Sequence, residues 1–147
     1  MVLNRQRKIR VAPRTLEDFL SKVRKELNLE NADVVVALVS DTKIAEMNER
    51  FRRKPGPTDV LSFPPLARHG KKPRRVRRTD RTEYLGDIAI APETARRFAR
   101  MHRRSLALEL RVLILHGVLH LLGYDHERDR GQMNRIEHRL RRRLGLA

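Results

Sequence analysis

ADVVVALVS, from Ala32 to Ser40, is a run of β-branched and aliphatic residues broken only by Asp33. Valines and leucines without strict alternation read as a strand covered on both faces, so helices are expected on either side of a sheet. On its N-terminal side, Pro13 suits the first turn of a helix with an apolar stripe at Leu16, Phe19, Leu20, Val23 and Leu27. Ahead of it, Leu3, Ile9 and Val11 alternate loosely, as in an edge strand. On its C-terminal side, Ser40 or Asp41 can cap a helix carrying Ile44, Met47 and Phe51. The prolines and glycine of FRRKPGPT then force a loop, and DVLSF, from Asp59 to Phe63, reads as a short strand stopped by Pro64 and Pro65. YLGDIAI resumes a strand. Pro92 opens an arginine-rich helix, Ser105 caps a long apolar one, and a last helix runs through Met133, Ile136 and Leu140 to an arginine cluster at residues 139–143. The order predicts one α/β (α+β) domain over residues 1–147, with a small mixed sheet of about four strands and about five helices.

At 147 residues the chain can bury one core without disulfides, and it contains no cysteine and no tryptophan. A thiol nucleophile, a cysteine zinc finger and a disulfide framework are therefore excluded. MVLNRQRKIRVAP lacks the apolar stretch of a signal peptide and no apolar run approaches a membrane span, so a cytoplasmic protein with no membrane partner is expected. The formal net charge of +16 points to a polyanionic partner, RNA or DNA before a neutral substrate, although a solvated basic surface would give the same charge. Much of it sits in a proline-interrupted basic stretch at about residues 64–83, expected to be a flexible loop that either binds phosphate or is a solvated insertion. The arginines of the last helix can bind phosphate or merely complement its C-terminal dipole.

The chemistry concentrates in HGVLHLLGYDH, from His116 to His126. His116 and His120 stand one helical turn apart on one face, close enough for both imidazoles to reach one ion. Gly123 sits where a left-handed residue closes a helix, and the returning chain can bring His126 to the same ion. Three nitrogen ligands suit one zinc or another late divalent metal and leave a position open for water, which favours catalysis over stapling. The frame resembles that of metzincin proteases, but Gly117 occupies the place of their general-base glutamate, and glycine takes no proton from water. His69, His102 and His138 are isolated among charges and read as exposed; Val35, Leu38 and Ile88 read as core.

HGVLHLLGYDH, with PTDVLSFP from Pro57 to Pro64 and LGDIAI from Leu85 to Ile90, resembles the YbeY family of bacterial metal-dependent endoribonucleases, in the same order over nearly the whole chain. The resemblance implies a single α/β domain, a zinc held by His116, His120 and His126, and a role in small-subunit ribosomal RNA maturation and ribosome quality control. Its partners would be ribosomal RNA and the small ribosomal subunit; oligomeric state does not follow. The family carries a catalytic arginine in a loop of the form aromatic-Arg-Gly-Lys, which maps onto Phe51-Arg52-Arg53-Lys54 and gives Arg52 that role. Arg53 stands where glycine is usual and Pro55 where an acidic residue is common.

Phosphodiester cleavage builds negative charge on non-bridging oxygens, which a cation and a planar guanidinium stabilise together. The ion can lower the pKa of a bound water to about 7 or act as a Lewis acid while the ribose 2′-hydroxyl attacks. Asp125 and Glu127 are near enough in sequence to take the proton, and Asp125 can equally orient a ligand imidazole, supply a fourth ligand or sit exposed in its turn. Thr58 and Asp59 can cap or brace the loop that bears Arg52, and Asp87, following Gly86 in a strand, can approach the site without being a ligand or satisfy a neighbouring backbone. Two other classes stay open: a zinc peptidase, weakened by Gly117, and a noncatalytic ribosome-binding factor whose zinc only orders the C-terminal turn.

Overall fold

In a computed structural model, which describes residues 1–65, 83–125 and 127–146, the run from Ala32 forms strand β2 (Ala32–Leu38) at the middle of the sheet. It pairs in parallel with β1 (Val2–Asn4) on one side and with β4 (Glu83–Ile90) on the other, and β4 pairs antiparallel with β3 (Val60–Phe63). The order β1-β2-β4-β3 is the expected small mixed sheet. Five helices accompany it among the described residues: α1 (Pro13–Glu26), α2 (Asp41–Arg52), α3 (Pro92–Met101), α4 (Leu106–Leu121) and α5 (Gln132–Arg143). The molecule is a single α/β domain.

Both faces of the sheet are covered, unequally. Val34, Val36, Leu38, Ile88 and Ile90 point into the larger core with residues of α1, α4 and α5. Ala89 and Leu61 join a smaller cluster around Ile44 of α2 on the opposite face, where Ala37 is only partly buried. Val35, expected in the core, shares that thinner side and is half-buried. Aliphatic residues at every position thus serve a thick face and a thin one.

Both serine caps form: the Ser40 hydroxyl accepts the Lys43 N–H at 3.1 Å and the Ser105 hydroxyl accepts the Leu108 N–H at 3.1 Å. The first strand is shorter than its pattern suggested. Ile9 and Val11 lie outside β1 because the buried Gln6 amide folds the chain back, donating to the Ile9 carbonyl at 2.8 Å and accepting the Ile9 N–H at 3.0 Å. An internal glutamine bracket replaces the ladder. Phe51 also departs from expectation, being 60% exposed, since its ring meets Phe63 at the end of α2 instead of the core. The basic stretch falls almost wholly in residues 66–82, outside the described residues, and Glu83 already belongs to β4.

α2 ends at Arg53, whose φ of 53° and ψ of 36° are left-handed. This is the position where the sequence frame favours glycine. A Cβ in that conformation costs roughly 1–2 kcal/mol, part of which glycine returns through its freer unfolded chain. Arg53→Gly is expected to stabilise the protein by about 0.5–1 kcal/mol, read as a higher urea midpoint at unchanged slope. A lower midpoint would mean that contacts of the Arg53 side chain outweigh the strain.

Candidate active site

α4 is apolar on nearly every side and buried from Glu109 to Leu119 except at Arg111 and His116. His116 and His120 lie on one flank, at the exit from the core, each half-buried. Their Nε2 atoms are 3.0 Å apart and their rings meet at 71° with centroids 4.5 Å apart. From α5, Glu137 brings Oε1 to 3.5 Å from His116 Nδ1. A carboxylate there favours the proton on Nδ1 and leaves the Nε2 lone pair facing its neighbour. Glu137 went unnoticed in sequence, although it is the one acid in the otherwise basic α5.

The two imidazoles line a cleft of about 570 Å³ together with Arg52, at the end of α2, and the segment from Thr58 to Pro64. Arg53, turned off by its left-handed backbone, is not among the lining residues. The loop between α2 and β3 is fixed by two hydrogen bonds: the buried Asn48 amide donates to the Gly56 carbonyl at 3.0 Å, and the Asp59 carbonyl accepts the Ala91 N–H at 2.9 Å. Across the cleft floor, the Ser62 hydroxyl donates to the Gly117 carbonyl at 3.3 Å, tying β3 to α4. At Gly117 the helix comes close to the sheet. A Cβ there would lie 2.8 Å from Ile88 Cδ1 and 2.9 Å from its Cγ2. The residue in the place of a protease glutamate is glycine because β4 leaves no room for a side chain.

Among the described residues three carboxylates line the cleft: Asp59, Asp125 and Glu127. Burial raises the Asp59 carboxyl above the ordinary range, its own N–H and that of Val60 oppose this, and the charge of Glu109 reinforces it while His116 counters it. Asp59 therefore holds its proton to a higher pH than an exposed aspartate, and Thr58 donates to it at 3.4 Å. Glu109 itself is buried in a close ion pair with Arg104, Nε to Oε2 2.5 Å, and His102 stands 3.5 Å away. His102, exposed as expected, is thus tied to a buried charge. Asp125 braces its own turn by accepting the Glu127 N–H at 3.0 Å. Asp87 is exposed and accepts the Tyr84 hydroxyl, away from the cleft lining.

α4 closes as the glycine suggested: Gly123 has φ +99° with open space around its Cα, so conformation alone calls for glycine. The chain then turns back through Tyr124 and Asp125, and both Asp125 and Glu127 line the cleft. His126 lies outside the described residues, as does His69. Among the described residues no group of three metal-binding side chains surrounds one point. The pair present suits zinc: a tetrahedral ion with Zn–N of about 2.0–2.1 Å needs nitrogens about 3.3 Å apart, a few tenths beyond the observed 3.0 Å. Imidazole donors backed by a carboxylate are also the chemistry such an ion selects. Among the described residues no helix is long and apolar enough to cross a membrane.

Comparison with known proteins adds the family. Residues 1–145 match the family described as Endoribonuclease YbeY. A protein named Endoribonuclease YbeY from Koribacter versatilis (strain Ellin345) is 40% identical over 146 residues, spanning 99% of this chain and 86% of that one. Its namesake in Aquifex aeolicus (strain VF5) is 38% identical over 127 residues, 86% of this chain and 78% of that one. The solution structure of TM1509 from Thermotoga maritima superposes with a TM-score of 0.62 at 28% identity, covering 98% of this chain and 89% of that one. With a whole-length family match, relatives at this identity and a shared fold, the chain belongs to the Endoribonuclease YbeY family and is a nuclease of the hydrolase class.

Proposed function

We propose that the protein is a zinc-dependent endoribonuclease that cuts single-stranded regions of ribosomal RNA during small-subunit maturation and ribosome quality control in the cytoplasm. The observation that carries the reading is the meeting, in one cleft, of two converging imidazoles and the Arg52 guanidinium. His116 and His120 would hold the ion, with His126 as third ligand and Glu137 orienting His116. When bound, zinc, or another divalent metal in its place, supplies Lewis acidity toward phosphate oxygens and acidifies a water.

The chain's own groups do the rest. Arg52 offers a planar fork to the two non-bridging oxygens of the scissile phosphate, where charge grows as the phosphodiester breaks. The loop that follows it is clamped by Asn48, which fixes the backbone beyond Arg52 and lowers the cost of ordering this side of the cleft. Asp59 lines the cleft with its affinity for a proton raised by burial, which suits it to accept one from the attacking hydroxyl. The net charge of +16 draws the polyanion to the surface before any specific contact forms.

Arg52→Glu separates cutting from metal binding. It is expected to leave metal content unchanged and to lower the rate of rRNA cleavage at least about 100-fold, as for loss of a transition-state charge partner. Normal cutting by this variant would remove Arg52 from the reaction. The strong positive charge also favours a second reading, a zinc-stabilised rRNA-binding factor without activity. Purified metal-loaded wild type that binds structured rRNA tightly and leaves every strand intact would establish that reading instead.

A further inference from the structure

Phe51 is 60% exposed, yet it lines the candidate cleft beside Arg52. Its ring is held in place. Phe63, the last residue of β3, packs against it at 67° with centroids 5.2 Å apart, and the Arg50 guanidinium lies over the ring 5.6 Å from its centroid. An exposed phenylalanine loses the gain of burial, but a ring fixed by an aromatic neighbour and carrying a guanidinium over its face is a ready surface for another flat π-system. Arg52, Arg53 and Lys54 follow it directly in sequence, all exposed. Aromatic rings interleaved with positive charge at the edge of a groove recognise single-stranded nucleic acid, because every base has a face to stack and every linkage a phosphate to pair.

We infer that Phe51 is a base-stacking subsite, which takes the unpaired nucleobase adjoining the phosphate presented to Arg52. The inference rests on the endoribonuclease reading and deepens it: the substrate strand must be locally unstacked to bind. A duplex keeps its bases stacked on one another and cannot offer one to the ring. Arg50, which is exposed, can leave the ring as the base arrives and turn to a neighbouring phosphate. Selection would be for single-strandedness and not for base identity, since stacking is tolerant of sequence.

The chain contains no tryptophan, so Phe51→Trp installs its sole indole at the subsite. The probe is a short single-stranded RNA with 2′-O-methyl sugars, its integrity checked on a gel, alongside the same strand with abasic residues. Base-bearing RNA is expected to quench the indole strongly and the abasic strand only weakly. By fluorescence anisotropy, Phe51→Ala is expected to weaken base-bearing RNA about tenfold, leave the abasic strand unchanged and keep the wild-type melting curve, since the ring lies outside the core. Phe51→Tyr is expected to bind as wild type. Equal quenching by both strands, or unaltered affinity in Phe51→Ala, would overturn the subsite while leaving the nuclease reading intact. Failure of wild type to bind either strand would overturn the RNA reading and the subsite with it.

Discussion

His120→Ala is expected to yield a folded protein that neither retains zinc nor cuts ribosomal RNA. The side chain stands in the last turn of α4, half-buried at the wall of the cleft, so truncation opens no cavity in the core. Its Nε2 lies 3.0 Å from that of His116, and removing it leaves one described imidazole where two converged. A tetrahedral site that falls from three protein nitrogens to two loses most of its affinity, because the remaining pair no longer encloses the ion. Metal content by mass spectrometry should drop to background, and cleavage should fall with it to the level of chelator-treated wild type. Thermal unfolding of the metal-free forms should differ little between variant and wild type. Full cleavage by a metal-free His120→Ala protein would exclude the proposed zinc chemistry and shift the reaction to Arg52 and the lining carboxylates.

The two histidines were legible before any coordinates because helical periodicity is a local law: residues four apart share a face wherever the helix forms. The serine caps and Gly123 were legible for the same reason, each acting within a few residues of itself. The small mixed sheet followed from one unalternating strand and its neighbours, whereas the order of its strands came only with the structure. What escaped was set by contacts distant in sequence. The glutamine bracket at Ile9 needs one side chain to satisfy both backbone groups of a residue three positions on, which no periodicity announces. Glu137 becomes meaningful only once α5 docks beside α4, and Asp59 only once β3 and α4 close a cleft around it. Phe51 had the spacing of a core residue, but at the end of α2 its ring meets Phe63 and stays largely exposed.

Gly117 unites the two kinds of information, and Gly117→Glu is expected to have the largest effect on stability. By motif alone the change would complete a protease-like helix. By geometry it cannot be accommodated. Even the Cβ of alanine would meet Ile88 Cδ1 at 2.8 Å and Cγ2 at 2.9 Å, and Ile88 is a fully buried β-branched residue with little freedom to yield. Overpacking of this kind costs about 1–3 kcal/mol, of which alanine's better helix propensity returns about 1 kcal/mol. Gly117→Ala should therefore lower stability slightly to moderately. Glutamate adds a carboxylate at a buried position against an aliphatic neighbour, a burden of several kcal/mol in a fold whose whole stability is of order 5–15 kcal/mol. Gly117→Glu should be insoluble or melt far below wild type, and should show no peptidase activity. The cause can be isolated by pairing Gly117→Ala with Ile88→Ala, which removes all three clashing carbons: the double variant should be more stable than the sum of the single losses predicts. Strict additivity would show that the helix and strand separate without strain. Coupling would mean that the same close approach which excludes a glutamate base also lowers α4 onto the sheet, where the carbonyl of Gly117 meets Ser62 and the imidazoles of His116 and His120 line one cleft with Arg52.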